Sequence, residues 1–191
     1  MSNHKGTATP HYHQVRREIQ ELGTVLHLPQ LQLPEENRRE ICAGLNKVLA
    51  NTMVLRDLYK KSHWQTSGAT FYSLHLLFDK HYSEQLELID TIAERVQILG
   101  GVSVALAQDV AEFATIERAP SGREEPPAQV SRLLDAHAVL IEQARKLARR
   151  TSTLDDDGTN DILVSGVLRT NEMQVWFLSE HLVDVPLVNA D

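Results

Sequence analysis

The sequence predicts an all-helical fold: a four-helix bundle with a short extra helix in the middle crossover connection. Three observations predict it. Apolar residues recur at spacings of three and four over four long stretches, nothing reads as a strand, and two of the three connections are short turns while the middle one is long.

Residues 1–33 read as an N-terminal tail, polar and His-rich at first, with a short helix expected around Val15–Leu22 and closed by Gly23. The bundle is expected over 34–183, followed by a short C-terminal tail, 184–191. Pro34-Glu35-Glu36 suits a helix start, with acids at the positive end of the dipole. Ile41, Leu45, Val48, Thr52, Leu55 and Tyr59 then mark one face, and the helix should end near Gly68. The second helix is expected from about Ala69 to Leu99, with Phe71, Leu74, Phe78, Leu86, Ile89, Ile92, Val96 and Leu99 apolar, stopped by Gly100-Gly101. A mixed stretch holds the apolar piece Val110–Ile116 and the cluster PSGREEPP. The third helix, about Ala128 to Ser152, carries Leu133, Leu134, His137, Ile141, Ala144, Leu147 and Ala148. The acidic turn Asp155–Thr159 leads into the fourth, about Asn160 to Leu182.

A chain of 191 residues suits a single domain with a sizeable core. No stretch approaches the roughly 20 apolar residues that cross a bilayer, and the polar N-terminus lacks the apolar region of a secretory signal. The lone Cys42 has no partner for an internal disulfide and sits in an apolar-periodic stretch, so a buried, reduced thiol in a cytoplasmic protein is expected. A net charge of −7 argues against an extended nucleic-acid surface.

The second helix holds an unusual polar series: His75, Asp79, Asp90 and Glu94. Relative to His75, the other three lie at roughly 40°, 60° and 100° around the axis, so all four share one stripe. His75 and Asp79 are one turn apart, as are Asp90 and Glu94. The two pairs are about 16 Å apart along the axis, too far to share one ion whose ligand bonds are about 2 Å long. Two copies of this helix packed antiparallel about a two-fold axis would bring each His75/Asp79 pair to the other copy's Asp90/Glu94 pair. His63, at the end of the first helix, is a further contributor. Two imidazoles and three carboxylates without a thiolate suit iron in both oxidation states; zinc also fits a His/carboxylate site. Taken singly, each residue is an ordinary member of a solvated helix face.

The run Lys60-Lys61-Ser62-His63-Trp64 through Gly68, Phe71, Leu74-His75, Phe78-Asp79, and Asp90 with Ala93-Glu94-Arg95 to Leu99-Gly100-Gly101, resembles the signature of the Dps mini-ferritins, the DNA-protection-during-starvation family. The resemblance implies a ferritin-like bundle assembled as a homo-oligomer, a hollow dodecamer built from two-fold dimers. It implies a ferroxidase with di-iron sites between subunits, where His63, His75 and Asp79 serve from one subunit and Asp90 and Glu94 from its partner. Such proteins oxidise Fe(II), typically with hydrogen peroxide, store a ferric mineral and protect against oxidative stress. Trp64 resembles a tryptophan the family keeps near the iron site, although an aromatic at a helix end is more often packing. Asp157-Gly158-Thr159-Asn160-Asp161 resembles the segment lining the family's acidic three-fold pores, which points to Asp157 and Asp161; a helix start with acids near its dipole is the plainer reading. The alternative function is a DNA-binding or structural shell whose metal site mainly stabilises assembly.

The large ferritins' site inside the bundle uses Glu-x-x-His, and no histidine here has a glutamate three residues before it. The tail's His4, His11 and His13 carry only a weak metal-binding signal. Lys5 is the only lysine before Lys47, which argues against strong DNA compaction. His27, His81, His137 and His181 are expected as packed or surface histidines.

Overall fold

The structure, a computed structural model, describes residues 18–183, and every regular element among them is helical. After a 3-10 turn at Pro29–Leu31 come α1 (Glu35–Gln65), α2 (Phe71–Ile98), α3 (Ala107–Phe113) and α4 (Pro126–Thr153). The last rod is continuous: α5 (Asp157–Asp161) runs through a π-helical stretch, Ile162–Leu168, into α6 (Arg169–Glu180). Four long rods with α3 in the middle connection make the predicted bundle. No helix among the described residues is long and apolar enough to cross a membrane.

The core follows the apolar periodicity. Ile41, Leu45, Val48 and Leu55 of α1, Phe78 and Ile92 of α2, Leu140 and Ala144 of α4 and Leu163, Val167 and Leu178 of the last rod are all fully buried. Such close packing contributes most of the stability of long amphipathic helices.

The end of α2 is fixed by two glycines with different duties. Gly100 takes φ +79°, its N–H donates to Gln97 O and that of Gly101 to Val96 O, which is a Schellman cap. Gly101 is needed for space instead, since a Cβ there would stand 2.7 Å from Cys42 Sγ. Cys42 is free and buried, and burial pushes its thiol up to about 11. Arg38, also buried, closes this corner: its Nη1 donates to Leu99 O at 2.7 Å and to Leu26 O at 3.0 Å. A cation on the last carbonyls of a helix complements the dipole there.

Two buried asparagines of α1 clamp the crossover. Asn46 accepts from Val104 N and donates to Val102 O, while Asn51 accepts from Thr115 N and Ile116 N and donates to Gln143 of α4. The irregular backbone on either side of α3 thereby finds partners that it would otherwise lack.

Several expected boundaries move. No helix forms over residues 18–22; a turn at Gly23, φ +89°, lets Gln20 Nε2 and Leu26 N both donate to Gly100 O, and these long-range bonds outweigh a weak local helix. Residues 15–17 lie outside the described residues. α1 ends at Gln65, short of Gly68, because Thr66 is already extended. α4 begins with Pro126 and Pro127, read from sequence as loop; proline is well tolerated in a first turn, where its missing N–H has no partner to lose. The last rod starts at Asp157 because Asp156 caps it, accepting from Thr159 N at 2.9 Å.

Candidate metal centre

The connection 66–70, with Gly68 at φ +88°, turns the chain from α1 into α2 and brings His63 and His75 face to face. Their rings stack with centroids 3.8 Å apart and planes 22° from parallel. His63 Nδ1 lies 2.8 Å from His75 O, and His75 Nδ1 lies 2.9 Å from His63 O. A carbonyl only accepts, so each Nδ1 carries the proton and donates. In the neutral tautomer that these bonds select, Nε2 is the free nitrogen, the atom through which imidazole binds a cation.

Asp79, one turn beyond His75, completes a cluster. Its Oδ1 lies 3.9 Å from His63 Nε2 and accepts from Lys60 Nζ at 2.6 Å. The Lys60 ammonium, aided by the nearby His63 and His75, holds the Asp79 carboxyl below its usual range. Lys60 also lies over the ring of Tyr82, 4.5 Å from its centroid. Phe71 stands 5.1 Å from the His75 ring, tilted 31° to it.

The other predicted residues are not brought to this cluster within one chain. Asp90 and Glu94 are exposed on the same helix, about 16 Å further along at 1.5 Å per residue, and neither forms an ion pair among the described residues. Likewise, no three His, Cys, Asp or Glu side chains among the described residues converge as a group able to hold a metal ion. Trp64 is 69% exposed beside His63. Asp157 and Asp161 are exposed one turn apart, and Asp161 accepts from Ser165 Oγ at 2.7 Å. Behind them, Arg95 of α2 bridges Asp156 at 2.6 Å and Thr159 at 2.8 Å, which fixes the acidic turn to α2 next to Glu94. The tail histidines 4, 11 and 13 lie outside the described residues.

Sequence reasoning missed a polar network in the bundle core. Tyr59, fully buried on α1, has its hydroxyl 2.5 Å from His137 Nε2 and 3.1 Å from His81 Nδ1. His137 Nδ1 in turn bonds Asn171 Oδ1 at 2.9 Å, and Gln85 joins Asn171 to Gln174. The signal was present: His137 falls on the apolar stripe of α4, and His81 and Gln85 fall on that of α2, where polar side chains must find partners.

A family profile describing the ferritin-like domain matches residues 42–188. Among solved structures, DpsC from Streptomyces coelicolor superposes with a TM-score of 0.87 at 58% identity, covering 91% of this chain and 100% of that one. The chain belongs to the Dps family of mini-ferritins. Relatives of known sequence agree. A DNA protection during starvation protein of Brevibacillus brevis is 32% identical over 72% of this chain and 91% of its own length. A nutrient stress-induced DNA-binding protein of Nostoc sp. is 32% identical over 81% of this chain and 83% of its own length. Membership carries the coarse function of the ferritin-like class, iron storage and protection.

Proposed function

We propose that this Dps chain is a ferroxidase and iron store whose oxidation sites are shared between two copies. The observation that carries the reading is the His63/His75 pair. Each ring is held through Nδ1 by the other's backbone carbonyl, which leaves Nε2 as the ligating atom, and the carboxylate of Asp79 stands 3.9 Å from one of those nitrogens. A metal ion bound between them, at the roughly 2 Å usual for N or O ligands, would draw both groups toward it and compete with the Lys60 ammonium for Asp79. The pair is preorganised, so no imidazole has to reorient when Fe(II) arrives.

Asp90 and Glu94 supply the rest from a second copy. They share the stripe of His75 and Asp79, are exposed, and lack cationic partners among the described residues. An antiparallel two-fold packing of α2 presents them to the partner's histidine pair and makes two equivalent sites per dimer. Fe(II) is the substrate. Two irons give one electron each to hydrogen peroxide, which takes two protons and leaves as two waters, so no hydroxyl radical is released. The ferric product accumulates as mineral inside a dodecameric shell in the cytoplasm, with Asp157 and Asp161 at acidic pores that draw Fe(II) inward. Zinc suits the same donors and would compete for them.

A second reading has support in the Nostoc relative, a DNA-binding protein by name. Against it stand the net charge of −7 and the single lysine ahead of Lys47, since affinity for DNA grows with the phosphates neutralised. Native mass, stopped-flow iron oxidation and a gel shift at physiological salt decide between them. About twelve subunits with rapid Fe(II)-dependent peroxide consumption is the expected result. His63→Ala and Glu94→Ala proteins that assemble normally should each lose that activity; oxidation at the wild-type rate in either overturns the site, and a monomer overturns the shared geometry.

A further inference from the structure

Two charged features near the end of α4 are left unexplained by the iron site. The first is Asp155. Leu154 caps α4, and the N–H of Asp156 donates back to Thr151 O at 3.1 Å, which is a Schellman closure with Asp155 at its left-handed position. The φ of Asp155 is +59°, a conformation that glycine takes without strain. An exposed carboxylate stands there instead, and it forms no ion pair among the described residues.

The second is a groove on the solvent face of α4, about 1020 Å³ in volume. It is lined by the apolar Ala138 and Ile141 and by Arg145, Lys146, Arg149 and Arg150. Two of these four cations are already matched, Arg145 by Glu172 at 2.5 Å and Arg150 by Glu40 at 2.6 Å. Lys146 and Arg149 are three residues apart, and so neighbours on the helix surface, and both are exposed. Neither forms an ion pair among the described residues, even though Glu142 lines the same groove one turn before Lys146. In a chain of net charge −7, two adjacent unmatched cations call for an anion from outside the chain.

We propose that Asp155 of one copy docks in the α4 groove of a neighbouring copy, against Lys146 and Arg149, and that this contact joins α2-paired dimers into the closed shell. The inference rests on the proposed shared oxidation site and shell. A like-with-like contact through α2 stops at two copies, whereas a contact between two different surfaces runs head to tail and closes into a ring. Enclosing a cavity takes both kinds. Their chemistry differs as well. Beside its metal-binding residues the α2 stripe carries the exposed Tyr72, Leu76 and Leu86, so that contact has apolar area to bury. The Asp155 contact is ionic and superficial; a single such pair is worth little, and it holds the shell only because it recurs around every ring. The screening length falls from about 8 Å at physiological salt to about 3 Å at 1 M. Salt therefore unties the shell into dimers that keep both oxidation sites, and oxidation separates from storage.

The test follows native mass by sedimentation from about 0.15 M to about 1 M sodium chloride, with stopped-flow Fe(II) oxidation on the same samples. The wild-type shell should part into dimers across that range, with the oxidation rate per subunit unchanged. Asp155→Lys, and separately Lys146→Glu with Arg149→Glu, should leave folded dimers already at the low end, with helicity checked by circular dichroism. All three changes together should restore the shell. Asp155→Gly separates docking from folding: loss of the strained conformation raises the subunit's thermal midpoint, while loss of the charge makes the shell part at lower salt. A shell that persists in both charge-reversed proteins, or that the combined changes fail to restore, overturns the docking alone. Dimers that have lost oxidation while the intact shell keeps it overturn the proposal too, because the surviving contact is then not the one through α2. A wild-type protein that forms no shell at any salt overturns the shell reading as well.

Discussion

Lys60 Nζ lies 2.6 Å from Asp79 Oδ1, so the carboxylate that faces His63 already carries a cation supplied by the protein. The ammonium stabilises the ionised carboxylate and at the same time competes with any metal ion that Asp79 would bind. A unit charge about 4 Å away is worth roughly 1 kcal/mol in water and about 4 kcal/mol near a protein surface. Asp79 is 48% exposed, so the lower figure applies. Lys60→Met should therefore tighten Zn(II) or Co(II) binding by about five- to tenfold, at about 1.4 kcal/mol per decade. Calorimetric titration of the iron-free protein checks this; weaker binding would mean that Lys60 holds Asp79 in place rather than competing for it.

The contact between Gly101 and Cys42 gives a stability prediction free of charge effects. A methyl group at Gly101 would meet Cys42 Sγ at 2.7 Å and Val96 Cγ1 at 3.1 Å. Gly101→Ala should cost about 1–3 kcal/mol, the range for overpacking a filled core. Cys42→Ala removes the sulfur, so the double variant should recover part of that loss, with a coupling above roughly 0.5 kcal/mol. Gly100→Ala should show no such recovery, because its φ of +79° and the Leu26 backbone nitrogen 3.2 Å away are untouched by the cysteine. Urea midpoints of the wild type, the three single variants and the two double variants with Cys42→Ala measure all three statements.

Asp156 does two jobs through one carboxylate. It caps α5 at Thr159 N and receives Arg95 Nη2 at 2.6 Å, with its own side chain 1% exposed and that of Arg95 16%. Asp156→Ala strands a largely buried guanidinium and uncaps a helix. Removing one partner of a buried pair costs about 3–5 kcal/mol. A markedly lower thermal midpoint is expected, together with faster amide exchange over 155–161. If the midpoint does not move, the pair is not what fixes the acidic turn to α2.

The rods were legible because one physical signal repeats many times over in each of them: Ile41, Leu45, Val48 and Leu55 predict their own burial, as do Phe78, Ile92 and Val96. Single-residue events were not. Two consecutive prolines read as loop but start α4, and the predicted helix over 15–22 gives way at 18–22 to bonds with Gly100, far along the chain. The clamps at Asn46 and Asn51 reach partners that no local pattern announces. At the candidate site, His75 is legible from the polar stripe of the second helix and His63 from its place at the end of the first, and the structure adds the reciprocal bonds between them. The Tyr59 network was hidden for a different reason. Taken singly, His81 and His137 each read as a packed or surface histidine, whereas they share one oxygen on a third helix.

That network also sets an acid limit on stability. Burial lowers His81 to about 4 and His137 to about 3, against an ordinary imidazole value of about 6.5 in the unfolded chain. Above that value both residues are neutral in either state and contribute no pH dependence. Below it the unfolded chain takes up protons that the folded core refuses, so folding stability falls as pH drops from about 6.5 toward 3–4. Each histidine adds a slope of up to about 1.4 kcal/mol per pH unit within its window. His137→Gln removes one titrating group, so its urea midpoint should decline less steeply between about pH 6 and pH 4 than that of the wild type, even if its stability near neutral pH is lower. Parallel declines in the two proteins would mean that His137 titrates normally, and that water reaches the Tyr59 hydroxyl.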